Sequence, residues 1–310
     1  MQMSGSHSMG APTAAANVPD LQGNGIEGLA SPLPAMSSAY DFLQNQYVYV
    51  IVSARARGLS VGVNLNPERR CNFDCLYCEV PRPMAGGNPP VNVEVMAREV
   101  ERTLAYVQSN RLQQHPVLGT LPREFVQFRH LALSGLGEPT LCPNFVEVVQ
   151  TLVHLRALGR LPYFHLVLVT NGSQLDHPSV QAGLKYFTAT DEIWIKLDAG
   201  TPEYFLKINR TPVPYEKILN NILLVGRQRP VVIQSLFVSV EGEEPPARQI
   251  EQYAMRLKQL KQDGAQISLV QVYSATRPTH QPACSHLPLK SLSRIAQIVR
   301  CTTELPVEVF

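Results

Sequence analysis

His130-Leu131-Ala132-Leu133-Ser134-Gly135-Leu136-Gly137-Glu138-Pro139-Thr140 passes from a short apolar run into two glycines, an acid and a proline. The run is too short for a helix that must bury a whole stripe, and the Gly/Pro text ends it, so 130–134 reads as a strand and 135–140 as a turn. A segment of helical period follows over 144–158. The same unit recurs on both sides. Apolar, β-branched runs at 61–65, 165–170, 192–198, 231–238 and 267–273 alternate with helical patterns near 92–108, 178–186, 214–227 and 246–263. Strand followed by helix, repeated along the chain, predicts a parallel α/β fold, and strands apolar on both faces fit a sheet covered by helices. Six such strands predict a partial (β/α)6 TIM-like barrel, with an open doubly wound sheet as the alternative. Either places ligands at the C-terminal strand ends.

Outside this rhythm, residues 1–37 are rich in Ala, Gly, Ser, Pro and Met without periodicity and read as a flexible leader. Residues 38–275 form the expected core domain. Residues 276–310 read as an extension with a helix near 289–300 and a short strand near 307–310. A net charge of +2 advertises no nucleic-acid partner, although a local basic patch stays possible in principle. No run approaches the roughly 20 apolar residues of a membrane span, and there is no secretory signal, so a cytoplasmic location without a membrane partner is expected. In a reducing compartment the six cysteines favour metal binding over a disulfide framework. Cys142, Cys284 and Cys301 read as small hydrophobes.

The remaining three stand in Cys71-Asn72-Phe73-Asp74-Cys75-Leu76-Tyr77-Cys78, directly after the first strand of the repeat. One short loop can wrap three thiolates around one centre. Soft thiolates suit an iron–sulfur cluster, and four irons with three cysteines leave one iron open for chemistry. A zinc site with a distant fourth ligand, or a redox-only iron–sulfur site, are the competing readings.

Cys-x3-Cys-x2-Cys with an aromatic before the last cysteine resembles the signature of the radical S-adenosylmethionine (SAM) superfamily. The text Gly58-Leu59-Ser60-Val61-Gly62-Val63-Asn64-Leu65 is similar to its wyosine-synthase-like Fe–S oxidoreductase branch. The likeness runs from about residue 48 to about 275, with motifs in the expected order. It implies one [4Fe–4S] cluster on Cys71, Cys75 and Cys78, reductive cleavage of SAM to methionine and a 5′-deoxyadenosyl radical, and an electron donor such as flavodoxin or ferredoxin. It also implies that Tyr77 lies beside the adenine. Wyosine synthases carry a second cluster on cysteines before this loop, whereas the first 70 residues here contain none. The substrate stays open between a tRNA base and a protein or peptide.

The resemblance also gives meaning to the strand ends. The 135–140 turn resembles the Gly-Gly-Glu-Pro motif that binds the methionine amino group: Gly137, Glu138 and Pro139 match, Leu136 stands in place of the first glycine, and Gly135 just before it is counted as a further cofactor contact. Asn171, in Thr170-Asn171-Gly172-Ser173, matches a segment lining the SAM pocket. Lys196 and Asp198 are two apart, so they share a strand face. A buried face tolerates such charges only when they are paired or look into a polar cavity. Both are candidate catalytic residues, and Asp198 also a SAM contact. Asn209-Arg210 follows soon after. Gln234, Ser235, Gln271 and Tyr273 interrupt apolar strands and are expected to face the cavity, with Gln234 and Tyr273 counted as cofactor contacts. Arg55, Arg57, Arg69 and Arg70 cluster in sequence near the loop, where they would meet phosphate, an acidic substrate or the electron donor.

Overall fold

In a computed structural model, which describes residues 42–81, 87–279 and 283–310, β1 (Val48–Ser53) and β2 (Gly58–Val63) form an antiparallel hairpin. The leader expected over 1–37 lies outside these residues. From β2 onward the pairing is parallel: β3 (Phe128–Leu133), β4 (Leu166–Thr170), β5 (Glu192–Lys196) and β6 (Val231–Leu236) follow in chain order. Next to β6 lies β8 (Ile267–Tyr273), and β10 (Val307–Val309) completes an eight-stranded sheet that curls into a half-barrel. The fold is therefore the partial TIM-like barrel that the strand–helix rhythm predicts.

The helices α1 (Val93–Gln108), α2 (Phe145–Ala157), α3 (Pro178–Leu184), α4 (Pro202–Asn209), α5 (Tyr215–Gly226), α6 (Ala247–Gln262) and α7 (Leu289–Thr303) connect the strands. Their apolar stripes make them helices and decide which face they bury. In α1, Met96, Val100, Leu104 and Val107 recur at three or four residues, and the Asn92 side chain caps the first turn by accepting from Val95 N–H at 3.1 Å. Such stripes pack on the outward strand residues, among them Leu131, Leu133, Leu168, Ile193, Ile195 and Ile233. Burying each side chain of this kind contributes roughly 1.5–3 kcal/mol. The alternate strand residues point inward, where Ala132, Val167, Trp194 and Val232 form a separate small cluster containing no helix residue.

Three details depart from the sequence reading. The 231–238 run is split: β6 stops at Leu236, and β7 (Val238–Val240) leaves to pair antiparallel with β9 (Cys284–His286). Val48–Ser53, unassigned from sequence, is a strand because Glu99 of α1 anchors its start, accepting from the N–H groups of Gln46 at 2.7 Å, Tyr47 at 2.8 Å and Val48 at 3.2 Å. The four arginines do not cluster. Arg55 and Arg57 lie in the β1–β2 turn, before β2, while Arg69 and Arg70 follow it, so a strand about 20 Å long separates the pairs. Among the described residues no helix is long and apolar enough to cross a membrane.

Candidate SAM and cluster site

The loop after β2 carries Cys71, Cys75 and Cys78 over the C-terminal strand ends, and the chain itself holds it there. Leu76 N–H donates to Ile208 O at 2.8 Å and Asp74 N–H to Asn209 O at 3.2 Å, which stitches the loop to α4. Thr211 Oγ1 donates to Asn72 O at 2.8 Å. On the other side Glu138 N–H donates to Arg70 O at 2.8 Å. That approach requires Gly137, where a Cβ would sit 2.0 Å from Arg70 O. Gly135, at φ 145°, needs its freedom as well, since a Cβ there would meet Asn64 Oδ1 at 2.6 Å.

Around Cys75 converge Tyr77 of the same loop and, from distant parts of the sequence, Asp198 and Asn209. Asn209 Nδ2 donates to Cys75 Sγ at 3.4 Å, to Tyr77 Oη at 3.2 Å and to Asp198 Oδ2 at 2.9 Å. The Tyr77 hydroxyl donates to the same Asp198 oxygen. Asp198 Oδ1 accepts from Leu236 N–H at 2.9 Å, so this carboxylate, 1% exposed, is fully engaged. Lys196 reaches the group through the aromatic ring rather than by an ion pair: Nζ lies 4.8 Å from the Tyr77 ring centroid and donates to Tyr273 Oη at 3.1 Å. Burial pulls the Lys196 ammonium down, but Asp198, Tyr273 and Cys75 outweigh it and hold it charged above its ordinary range. Burial, reinforced by Asp198, drives Tyr77 well above the usual phenol value.

Glu138, 3% exposed, takes four protein donors. Its Oε1 accepts from Thr140 N–H at 3.1 Å, Thr140 Oγ1 at 2.6 Å and Thr170 Oγ1 at 2.6 Å, and its Oε2 from Asn171 N–H at 2.7 Å. Burial raises its carboxyl, and these hydrogen bonds counter the rise. In this arrangement Glu138 ties the end of β3 to the end of β4, with Pro139 buried beside it. Asn171 Nδ2 reaches Cys71 Sγ at 3.8 Å and Asn72 Oδ1 at 2.8 Å. Gln234 and Gln271 pair at 2.8 Å, on the strand face shared with Lys196 and Tyr273. Ser235 is corrected: neighbouring strand residues alternate faces, and its hydroxyl turns outward to Tyr253 of α6. Asn72 and Ser173, joined at 2.8 Å, are additions to the site, and a polar loop residue gives no sequence signal for such a role.

The donor set fits a cluster. Three thiols sit on one loop, and the sulfurs of Cys71 and Cys75 take N–H donors: Phe73 on Cys71 at 3.4 Å, Asn171 on Cys71 and Asn209 on Cys75. Metal-bound thiolates take such donors from the surrounding protein. Burial, then Asp198, pushes the Cys75 thiol up to about 11, so only a bound metal centre would make it a thiolate at neutral pH. Among the described residues no three His, Cys, Asp or Glu side chains converge tightly enough for one metal ion.

A family model described as the Radical SAM superfamily matches residues 65–247, more than half of the chain, including the cysteine loop, the Glu138 turn and Asp198. The chain belongs to the radical SAM superfamily. It is accordingly an enzyme, and the family implies a 4Fe–4S cluster and SAM in general terms. A UPF0026 protein of Helicobacter pylori is 25% identical over 279 residues, covering 82% of this chain and 80% of the relative. Among solved structures, Streptococcus suis SuiB bound to precursor peptide SuiA is similar at TM-score 0.54 and 14% identity, over 80% of this radical SAM chain and 48% of SuiB. TYW1 with a lysine-pyruvate adduct bound is similar at TM-score 0.53 and 14% identity, over 85% and 88%. These structural likenesses concern the fold alone.

Proposed function

We propose that Cys71, Cys75 and Cys78 hold one [4Fe–4S] cluster with which the chain cleaves SAM reductively, and that the resulting 5′-deoxyadenosyl radical abstracts hydrogen from a substrate. The observation that carries this reading is the convergence of Cys75, Tyr77, Asp198 and Asn209 beside the cysteine loop at the strand ends. When bound, the reduced cluster supplies the electron that splits the sulfonium–carbon bond. The chain's own residues bind and orient. Asn209 fixes Cys75, and Asp198 fixes both Asn209 and Tyr77, so the loop presents one geometry. Gly135, Gly137, Glu138 and Pro139 form the ledge for the methionine end of SAM, with Asn171, Gln234 and Tyr273 on the strand ends around it. Lys196, held charged and half-buried in the barrel, orients an electron-rich group of the substrate. Arg69 and Arg70, beside the loop, would meet an acidic electron donor of the flavodoxin or ferredoxin type.

SuiB is described with a precursor peptide and TYW1 with a lysine-pyruvate adduct. The family resemblance leaves a tRNA base and a protein or peptide as substrate classes, and the peptide described with SuiB favours trying a peptide first. Anaerobic reconstitution with iron and sulfide, then reduction with SAM present, is expected to yield 5′-deoxyadenosine and methionine. Cys75→Ala is expected to abolish both products. A chain that binds no iron, or a Cys75→Ala variant that still cleaves SAM, would overturn the proposal.

A further inference from the structure

The opposite end of the barrel contains a cavity of about 370 Å³. It is lined by the β1–β2 turn and by the N-terminal portions of β3, β4 and β5, together with β8 and β10. In barrels of this kind that end ordinarily serves stability rather than ligands. Here its chemistry is unbalanced in one direction.

Hydrogen-bond donors exceed acceptors. Arg55 has five N–H donors, yet its recorded contact is the face of Tyr273, 4.0 Å from the ring centroid. His165 Nδ1 is buried with no hydrogen-bond partner, and it donates in the tautomer that protonates it. His130, 8% exposed, packs edge-on to Trp194 with ring centroids 5.4 Å apart, and no polar partner for it is found among the described residues. Gln271 has its Oε1 taken by Gln234 Nε2 at 2.8 Å, which leaves its amide N–H groups.

Each of the two acids in the wall has one oxygen engaged. Glu192 Oε2 takes the Trp194 indole N–H at 2.6 Å, and Glu308 Oε1 takes Arg57 at 2.5 Å. Val167, Leu269 and the Trp194 ring supply the apolar part of the wall. Unmet donors around an apolar floor are complementary to a small anion carried on a flat or apolar body. We propose that this cavity is a second ligand site of the enzyme, taking a small carboxylate or phosphate of that type, with Arg55 as its principal anchor. Arg55 also touches Tyr273, which holds Lys196, so an occupant would adjoin the inner wall of the SAM site.

Trp194 is the single tryptophan in the chain and lines the cavity, so its fluorescence reads occupancy directly. The full chain is titrated with benzoate, phenyl phosphate and neutral benzamide. Saturable fluorescence changes with benzoate or phenyl phosphate, at least tenfold weaker with benzamide, support the site, and the tighter of the two anions names its class. Arg55→Gln is expected to weaken anion binding at least tenfold, while Cys75→Ala leaves it unchanged, which separates this inference from the cluster proposal. No saturable response, benzamide binding as tightly as benzoate, or a response lost in Cys75→Ala would overturn it. The benzoate–benzamide comparison on the unmodified chain decides the matter even if the Arg55 variant fails to fold.

Discussion

Asp191 shows how one residue can hold two strands and a helix together. Its side chain is fully buried, and it accepts from Arg156 Nη1 at 2.6 Å, Leu166 N–H at 2.7 Å and Thr188 N–H at 2.7 Å. Burial raises its carboxyl, yet the Arg156 hydrogen bond and the two backbone donors lower it by more, leaving it below the usual range. A carboxyl depressed in the folded state contributes stability that is present above the unfolded value near 3.9 and is lost as pH falls through the folded value. Asp191→Asn, which strands the buried Arg156 charge, is expected to cost about 3–5 kcal/mol at pH 7. The gap between the urea midpoints of the two proteins should hold from pH 7 to about 5 and begin to narrow as pH falls below about 4. At this scale the sequence was unevenly legible. Three cysteines within eight residues declare themselves. Asn209 beside Cys75 does not, because 134 residues separate them and an asparagine at a helix end is ordinary. Glu138 stood out as an acid in a glycine turn, but nothing in the text revealed that Thr140, Thr170 and Asn171 saturate its oxygens.

Between elements, the decisive contact is the one where the β3 turn meets the cysteine loop. Gly137→Ala would place a methyl 2.0 Å from Arg70 O, so either the turn or the loop must move. The variant is expected to keep its helix and strand content by circular dichroism, because no regular element includes residue 137. After anaerobic reconstitution its iron content should drop to less than half that of the parent chain, and an undiminished iron content would refute this role for the glycine. The six parallel strands were legible because each is an apolar run followed by turn chemistry. Val48–Ser53 was not, since an apolar run beside an unstructured-looking leader lacks a helix to pair with. What makes it a strand, Glu99 of α1, lies 51 residues from Val48. The departure of the chain from β6 at Phe237 is hidden for the opposite reason, because Leu236-Phe237-Val238 stays apolar through a change of sheet.

Across the whole sheet, the hairpin turn and the last strand meet. Arg57 Nη2 lies 2.5 Å from Glu308 Oε1, joining residues 251 apart, and Arg129 Nε steadies the same turn by donating to Arg57 O at 2.8 Å. With side chains 69% and 37% exposed, the ion pair is a weak clasp. A double-mutant cycle with Arg57→Ala and Glu308→Ala is expected to give a coupling of about 0.2–1 kcal/mol that shrinks further in high salt. A coupling of several kcal/mol would show that the two sheet edges depend on this contact. Strand repetition told that the sheet would curl, but not that its edges would approach at one end, since that depends on the accumulated twist of every strand. The cysteine loop has a last consequence. Its backbone is already bonded to α4 and to the β3 turn, so the cost of ordering those residues, about 1–2 kcal/mol each, is met by folding itself. Whatever the sulfurs bind therefore arrives at a finished receptor, and its loading is governed by access and bond formation rather than by a search through loop conformations.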